Sequence, residues 1–155
     1  SCSGCHFRDI YMTYRDTSNQ SGDISEWAVS LELMRRGWIT STPHSRDAVY
    51  DLVVDVDGSF QTVQVKTMNG NSITKIVDRS GEVVSENGKP RNSMDYAKHG
   101  IDWLVGYRKQ DNRCFFYKLE NYSKIDSKSF SVNKHPPDDF PFREVPNRHV
   151  KKKGN

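Results

Sequence analysis

The chain has 155 residues, 23 Lys or Arg against 20 Asp or Glu, a net charge of +3 and 34% hydrophobic residues. That length suits one domain, residues 1–155, with a core of its own, and a mean hydropathy of −0.81 with no long apolar run argues against a membrane-spanning helix or a membrane partner. Three cysteines are too few for a disulfide scaffold and point to a cytoplasmic, non-secreted setting. The charge is unevenly placed: residues 1–66 hold 6 basic and 9 acidic side chains, residues 67–155 hold 17 and 11. The later part therefore suits a phosphate backbone, and the earlier part suits a cation.

At the N-terminus, Cys2-Ser3-Gly4-Cys5-His6 matches the spacing of c-type haem attachment. No export signal accompanies it, and no second Cys/His pair stands at zinc-finger spacing. Neither haem nor zinc is expected there. The next element spans Ser21 to Gly37. Ile24, Trp27, Ala28, Leu31 and Met34 recur at helical spacing and predict a helix with that stripe turned to the core. Arg35-Arg36-Gly37 is a stop signal, because glycine tolerates the left-handed conformation and cations suit the carbonyl end. Glu26 falls in the first turn of this helix. Asp23-x-x-Glu26 fits a capping box, and a site role fits equally.

Trp38 to Thr42 reads as a first strand stopped by Pro43. The loop Pro43–Asp47, with His44 and Arg46, leads into the most informative segment, Tyr50 to Lys66. Two alternating, β-branched runs there flank Asp57-Gly58, a strong hairpin signal. With a two-residue loop, Asp51 faces Gln64, and Lys66 lies one pleat further along on the same face. A carboxylate, an amide oxygen and an ammonium on one patch suit a divalent cation and a phosphate. A solvated face carrying the same side chains is the plain alternative.

Beyond Lys66, Ile73–Val77 and Glu82–Ser85 predict a second hairpin. With Asn69, Asn71, Lys75, Arg79, Lys89 and Arg91, this region has the polarity of a ribbon that reads a DNA groove. Ser93–Gly100 predicts a short helix ended by glycine. Ile101–Tyr107 and Cys114–Leu119 predict a buried strand and its hairpin partner, with the aromatic residues in the core. Residues 120–155 read as a loop-rich extension with four prolines and the basic tail Lys151-Lys152-Lys153.

A helix with Glu26, then Asp51 at a strand start, a turn, and a strand ending Gln64-Val65-Lys66 resembles the PD-(D/E)xK nuclease superfamily. More narrowly, Tyr50-Asp51-Leu52-Val53-Val54 and the Gln-x-Lys ending are similar to the small homing endonucleases associated with group I introns. The resemblance covers about residues 22–119. It implies an α/β fold, a restriction-endonuclease-like core with a central mixed β-sheet flanked by helices. Carried over by position, Glu26 matches the helix glutamate, Asp51 the metal-binding aspartate and Lys66 the lysine, with the Val65 carbonyl as a further ligand. Gln64 stands where the family usually has an acid, and Tyr50 where its name has proline. The amide leaves two formal charges, Glu26 and Asp51, to balance one dication.

The function so implied is a Mg²⁺- or Mn²⁺-dependent, site-specific DNA endonuclease. Lys66 would orient the attacking water, and Arg46, Asn69, Asn71, Lys75, Arg79, Lys89 and Arg91 would contact double-stranded DNA. Cutting both strands from one site per chain implies a homo-oligomer, a dimer or higher. Two other functions fit the same pattern: a structure-selective nuclease such as a Holliday-junction resolvase, and a non-catalytic DNA-binding protein on the same fold.

Overall fold

The computed structural model describes residues 18–74, 100–122 and 129–144. Helix α1, Ser18–Arg35, is followed by strands β1 Ile39–Ser41, β2 Leu52–Val56, β3 Ser59–Thr67 and β4 Ser72–Thr74. Then come β5 Trp103–Arg108, β6 Arg113–Lys118, the short helix α2 Leu119–Tyr122 and β7 Ser129–Ser131. The expected Cys2/Cys5/His6 segment, the 93–99 helix, the Glu82–Ser85 strand and the Lys151–Lys153 tail lie outside the described residues.

Five strands form one sheet in the order β1-β2-β3-β5-β6. Its β3–β5 pair is parallel and its other pairs antiparallel, so the sheet is mixed, as expected. The β2–β3 register runs from Val56↔Ser59 to Leu52↔Val63, which is the two-residue hairpin expected from Asp57-Gly58. Both turn residues have positive φ, 52° and 87°, and the Gly58 N–H donates to Asp55 Oδ1 at 2.7 Å. That combination makes a primed turn, whose twist matches the flanking strands.

The helix differs from expectation in two respects. It begins at or before Ser18, so Glu26 lies two turns inside it and the Asp23–Glu26 capping box does not form. Its early turns are polar, and an apolar pattern carries no signal for them. The helix also presents its other side to the sheet. Val29 and Leu33 are fully buried with Ser25 and Ser30, whereas Trp27 is 73% exposed and Ile24, Leu31 and Met34 are exposed too. The helix is apolar on two opposite sides, and the side with the larger residues faces out. The stop at Gly37 is as expected: its φ is +93°, and Gly37 N–H to Met34 O with Trp38 N–H to Leu33 O closes a Schellman motif.

The core lies in two layers. On the α1 face of the sheet, Val29 and Leu33 pack with Leu52, Val54, Val63 and Val65. On the other face, Leu104, Phe115 and Tyr117 pack with Ile73, Phe130 and Val132. The residues expected to be a loop-rich extension supply part of both layers. β7 pairs with β4 in a second, two-stranded sheet, with Ile73 opposite Phe130; the expected partner strand 82–85 lies outside the described residues. Residues 136–143 run back as a strap along β6. Asp138 N–H donates to Phe116 O, Asp138 Oδ2 accepts the Lys118 N–H at 2.8 Å, and Trp38 Nε1–H donates to Pro141 O at 2.7 Å. Among the described residues no helix is long and apolar enough to cross a membrane.

Candidate active site

β2 starts at Leu52 while β3 runs on to Thr67, so the last residues of β3 lose their neighbour on that side. Asp51 fills the lane β2 leaves open. Its N–H donates to Val63 O at 2.9 Å, one residue short of the strict register. Its Oδ2 accepts the Val65 N–H at 2.8 Å. A strand residue's N–H and C=O point to the same side, so the Val65 carbonyl is also directed into this lane. Val63 and Val65 face α1, and Gln64 and Lys66, half-buried, belong to the opposite face with their register partners Leu104 and Gly106.

Helix α1 reaches the same place from the other face of the sheet. Ser25, only 1% exposed, sits 2.6 Å from Thr67 Oγ1 through its Oγ and donates to Ser21 O at 2.9 Å. Next to it, Glu26 hydrogen-bonds the Asp51 carboxylate. Glu26 and Asp51 therefore meet at this point, although α1 and Lys66 belong to opposite faces of the sheet. Contact is possible because β2 has ended and no strand separates them.

The electrostatics follow from this crowding. Glu26 is pushed up to about 7, first by partial burial, then by the charges of Asp51 and Asp23 and the hydrogen bond with Asp51. Asp51 is raised by burial, against the opposing pull of the Val65 N–H, the Lys66 charge and the Glu26 hydrogen bond. Burial lowers Lys66, and the Asp51 charge partly restores it. The two carboxyl groups thus share a proton carried by Glu26, with an ammonium facing Asp51. Among the described residues no three His, Cys, Asp or Glu groups converge to hold a metal ion. Any cation here would take its remaining protein ligands from amide or backbone oxygen.

Above the pair opens a cleft of about 540 Å³, lined by Asp23, Glu26, Asp51, Tyr50, Ser45 and Arg46 among others. Arg46 is exposed at its rim. Asn69 and Asn71 stand apart in the turn before β4, also exposed. The Asn71 Oδ1 accepts from Arg108 at 2.5 Å, while Arg108 makes a two-point contact with Asp111. Sequence reasoning did not single out Arg108. The fold joins it to Asn71 across 37 residues, and no local pattern signals that contact. Lys75, Arg79, Lys89 and Arg91 lie outside the described residues.

The fold has known counterparts. The sequence profile of the PD-(D/E)XK endonuclease family matches residues 16–137. The chain belongs to that family. Among solved structures, a bacterial homing endonuclease, I-Ssp6803I, superposes with a TM-score of 0.61 at 19% identity, over 89% of this chain and 86% of the other. At that identity the likeness is one of fold alone; the family match is what identifies the five-stranded mixed sheet with α1 as a PD-(D/E)XK core. No curated protein sequence matches this chain. Within the PD-(D/E)XK frame, Asp51 and the Gln64–Lys66 strand end stand where the β2–β3 hairpin meets α1.

Proposed function

We propose that this protein is a divalent-cation-dependent, site-specific DNA endonuclease of the homing type, with its active site at the open end of β2. The observation that carries the reading is the Asp51 carboxylate fixed by the Val65 N–H at the open end of β2, in one cleft with Glu26 and Arg46; burial and the mutual charge of the two acids raise both carboxyl groups. Two acids pressed together, with a backbone carbonyl turned the same way, suit a hard dication that replaces the shared proton. Asp51, Glu26, Gln64 and the Val65 carbonyl would hold Mg²⁺ or Mn²⁺. The bound cation supplies Lewis-acid stabilisation of the phosphate and a more acidic water.

The chain's own groups do the rest. The Val65 N–H holds one Asp51 oxygen and so fixes the carboxylate's orientation. Lys66, half-buried and facing Asp51, orients the attacking water and offsets charge developing at phosphorus. Gln64 contributes a neutral oxygen, which limits the formal protein charge at the site to two. Arg46 at the cleft rim receives a neighbouring phosphate. Asn69, Asn71, Lys75, Arg79, Lys89 and Arg91 also contact the duplex. Cleavage of both strands requires two such sites, hence a homo-oligomer.

The deciding experiment is a nicking assay in Mg²⁺ on supercoiled plasmid and on a four-way junction. Cutting of the plasmid at one defined sequence supports the homing-type reading. Cutting of the junction alone assigns a resolvase, and binding without cutting in Mg²⁺ or Mn²⁺ assigns a non-catalytic protein on the same fold.

A further inference from the structure

The described part of α1 leaves one surface unaccounted for. Ile24, Trp27, Leu31 and Met34 are 39%, 73%, 44% and 47% exposed. They lie within an arc of about 80° of the helix, opposite Val29 and Leu33, which serve the core. Their spacing is three, four and three residues, the a/d seam of two helices packed knobs-into-holes. A contiguous stripe of large apolar side chains on one rigid helix marks an interaction face.

We propose that this stripe takes a second copy of this chain, with the two α1 helices packed antiparallel about a twofold axis near Val29. The charges select that arrangement. Antiparallel packing sets Ile24 against Met34 of the partner subunit and Trp27 against Leu31 of the partner subunit. It also brings Asp23 beside Arg35 of the partner subunit, and both residues are exposed. Parallel packing would instead set Asp23 against Asp23 and Arg35 against Arg35. A twofold contact uses the same patch on both copies, and the charges flanking this stripe are complementary to themselves in the antiparallel arrangement. Its seam is about 16 Å long, smaller than a standard interface, so self-association is expected to depend on concentration. Glu26 lies one residue from Trp27, and the interface therefore brings two carboxylate pairs to one side of the dimer.

The test measures self-association of the full chain by sedimentation equilibrium without DNA or divalent cation, so its result is separate from that of the nuclease assay. The wild type should be dimeric at tens of micromolar, and Trp27→Asp/Leu31→Asp should weaken association at least 100-fold with unchanged circular dichroism. Should that variant fail to fold, the charge pair decides alone. Asp23→Arg should weaken association several-fold, and Asp23→Arg/Arg35→Asp should restore it. A wild type that stays monomeric at 100 µM overturns the proposal, whether the stripe is covered by another segment of this chain or by a different protein. So does a dimer indifferent to the Trp27/Leu31 change. Failure of the double reversal to restore association overturns the antiparallel arrangement.

Discussion

Ser25 Oγ and Thr67 Oγ1 stand 2.6 Å apart, and each is one residue from a member of the candidate site, Glu26 on α1 and Lys66 on β3. The contact is a strut between helix and strand. Ser25 is buried, so its hydroxyl needs a partner and the pair resists sliding. Thr67→Val should cost about 0.5–1.5 kcal/mol of stability and lower the cleavage rate more than DNA affinity. Thr67→Ser keeps the hydroxyl and should retain most activity. Equal rates for the two variants would show that the strut does not position the site.

Asp51→Asn and Lys66→Ala should each lower the cleavage rate by on the order of 10²–10³ with DNA binding retained. Asp51 is the ligand least tolerant of neutralisation, because Gln64 is already neutral. Asp51→Asn also offers the Val65 N–H an amide in place of a carboxylate. Gln64→Glu restores an acid and should raise affinity for Mg²⁺. Single-turnover cleavage and filter binding on the same samples separate the two effects, and a wild-type rate for Asp51→Asn would refute the assignment.

The shared proton makes cation binding pH-dependent. Folding raises the Glu26 carboxyl from 4.5 to about 7, so the folded state binds this proton more tightly than the unfolded chain. Its contribution to stability is full below the unfolded value and is lost as pH rises through about 7. In the cation-free protein the melting temperature should therefore fall across that window, and Glu26→Gln should flatten the fall. Cation affinity should rise over the same window, with nearly one proton released per ion at about pH 6 and almost none at about pH 8. Calorimetric titration of Mn²⁺ in two buffers of different ionisation enthalpy reads this directly.

Gly106 is required by packing rather than by backbone angle. It pairs with Lys66, and a Cβ there would stand 2.6 Å from Ile73 Cδ1 and 2.8 Å from Met68 Sδ. Ile73 is fully buried in the layer with Phe130 and Leu104, so its side chain must shift within packed surroundings. Gly106→Ala should cost about 1–3 kcal/mol, read from urea midpoints. A change under a few tenths would show that the second layer is looser than its burial indicates.

The β2–β3 hairpin, its register, the helix stop at Gly37 and the β5–β6 pair were legible in the sequence because each is specified locally. Alternating β-branched residues, a turn that demands positive φ and a glycine cap need no information from distant residues. That register places Asp51 opposite Gln64, whereas the folded chain turns the Asp51 N–H to Val63 O and its carboxylate to the Val65 N–H. Three features were decided only by tertiary structure. The side of α1 that faces the sheet was one, because both sides carry apolar residues and the choice depends on which side fits the sheet. The second was how Glu26 reaches Asp51, which depends on β2 starting one residue after the aspartate and leaving the lane open. The third was the second layer, in which β7 pairs with β4 and the strap carrying Phe140 lies along β6. These contacts join residues far apart in the chain, and only the folded backbone brings them within range.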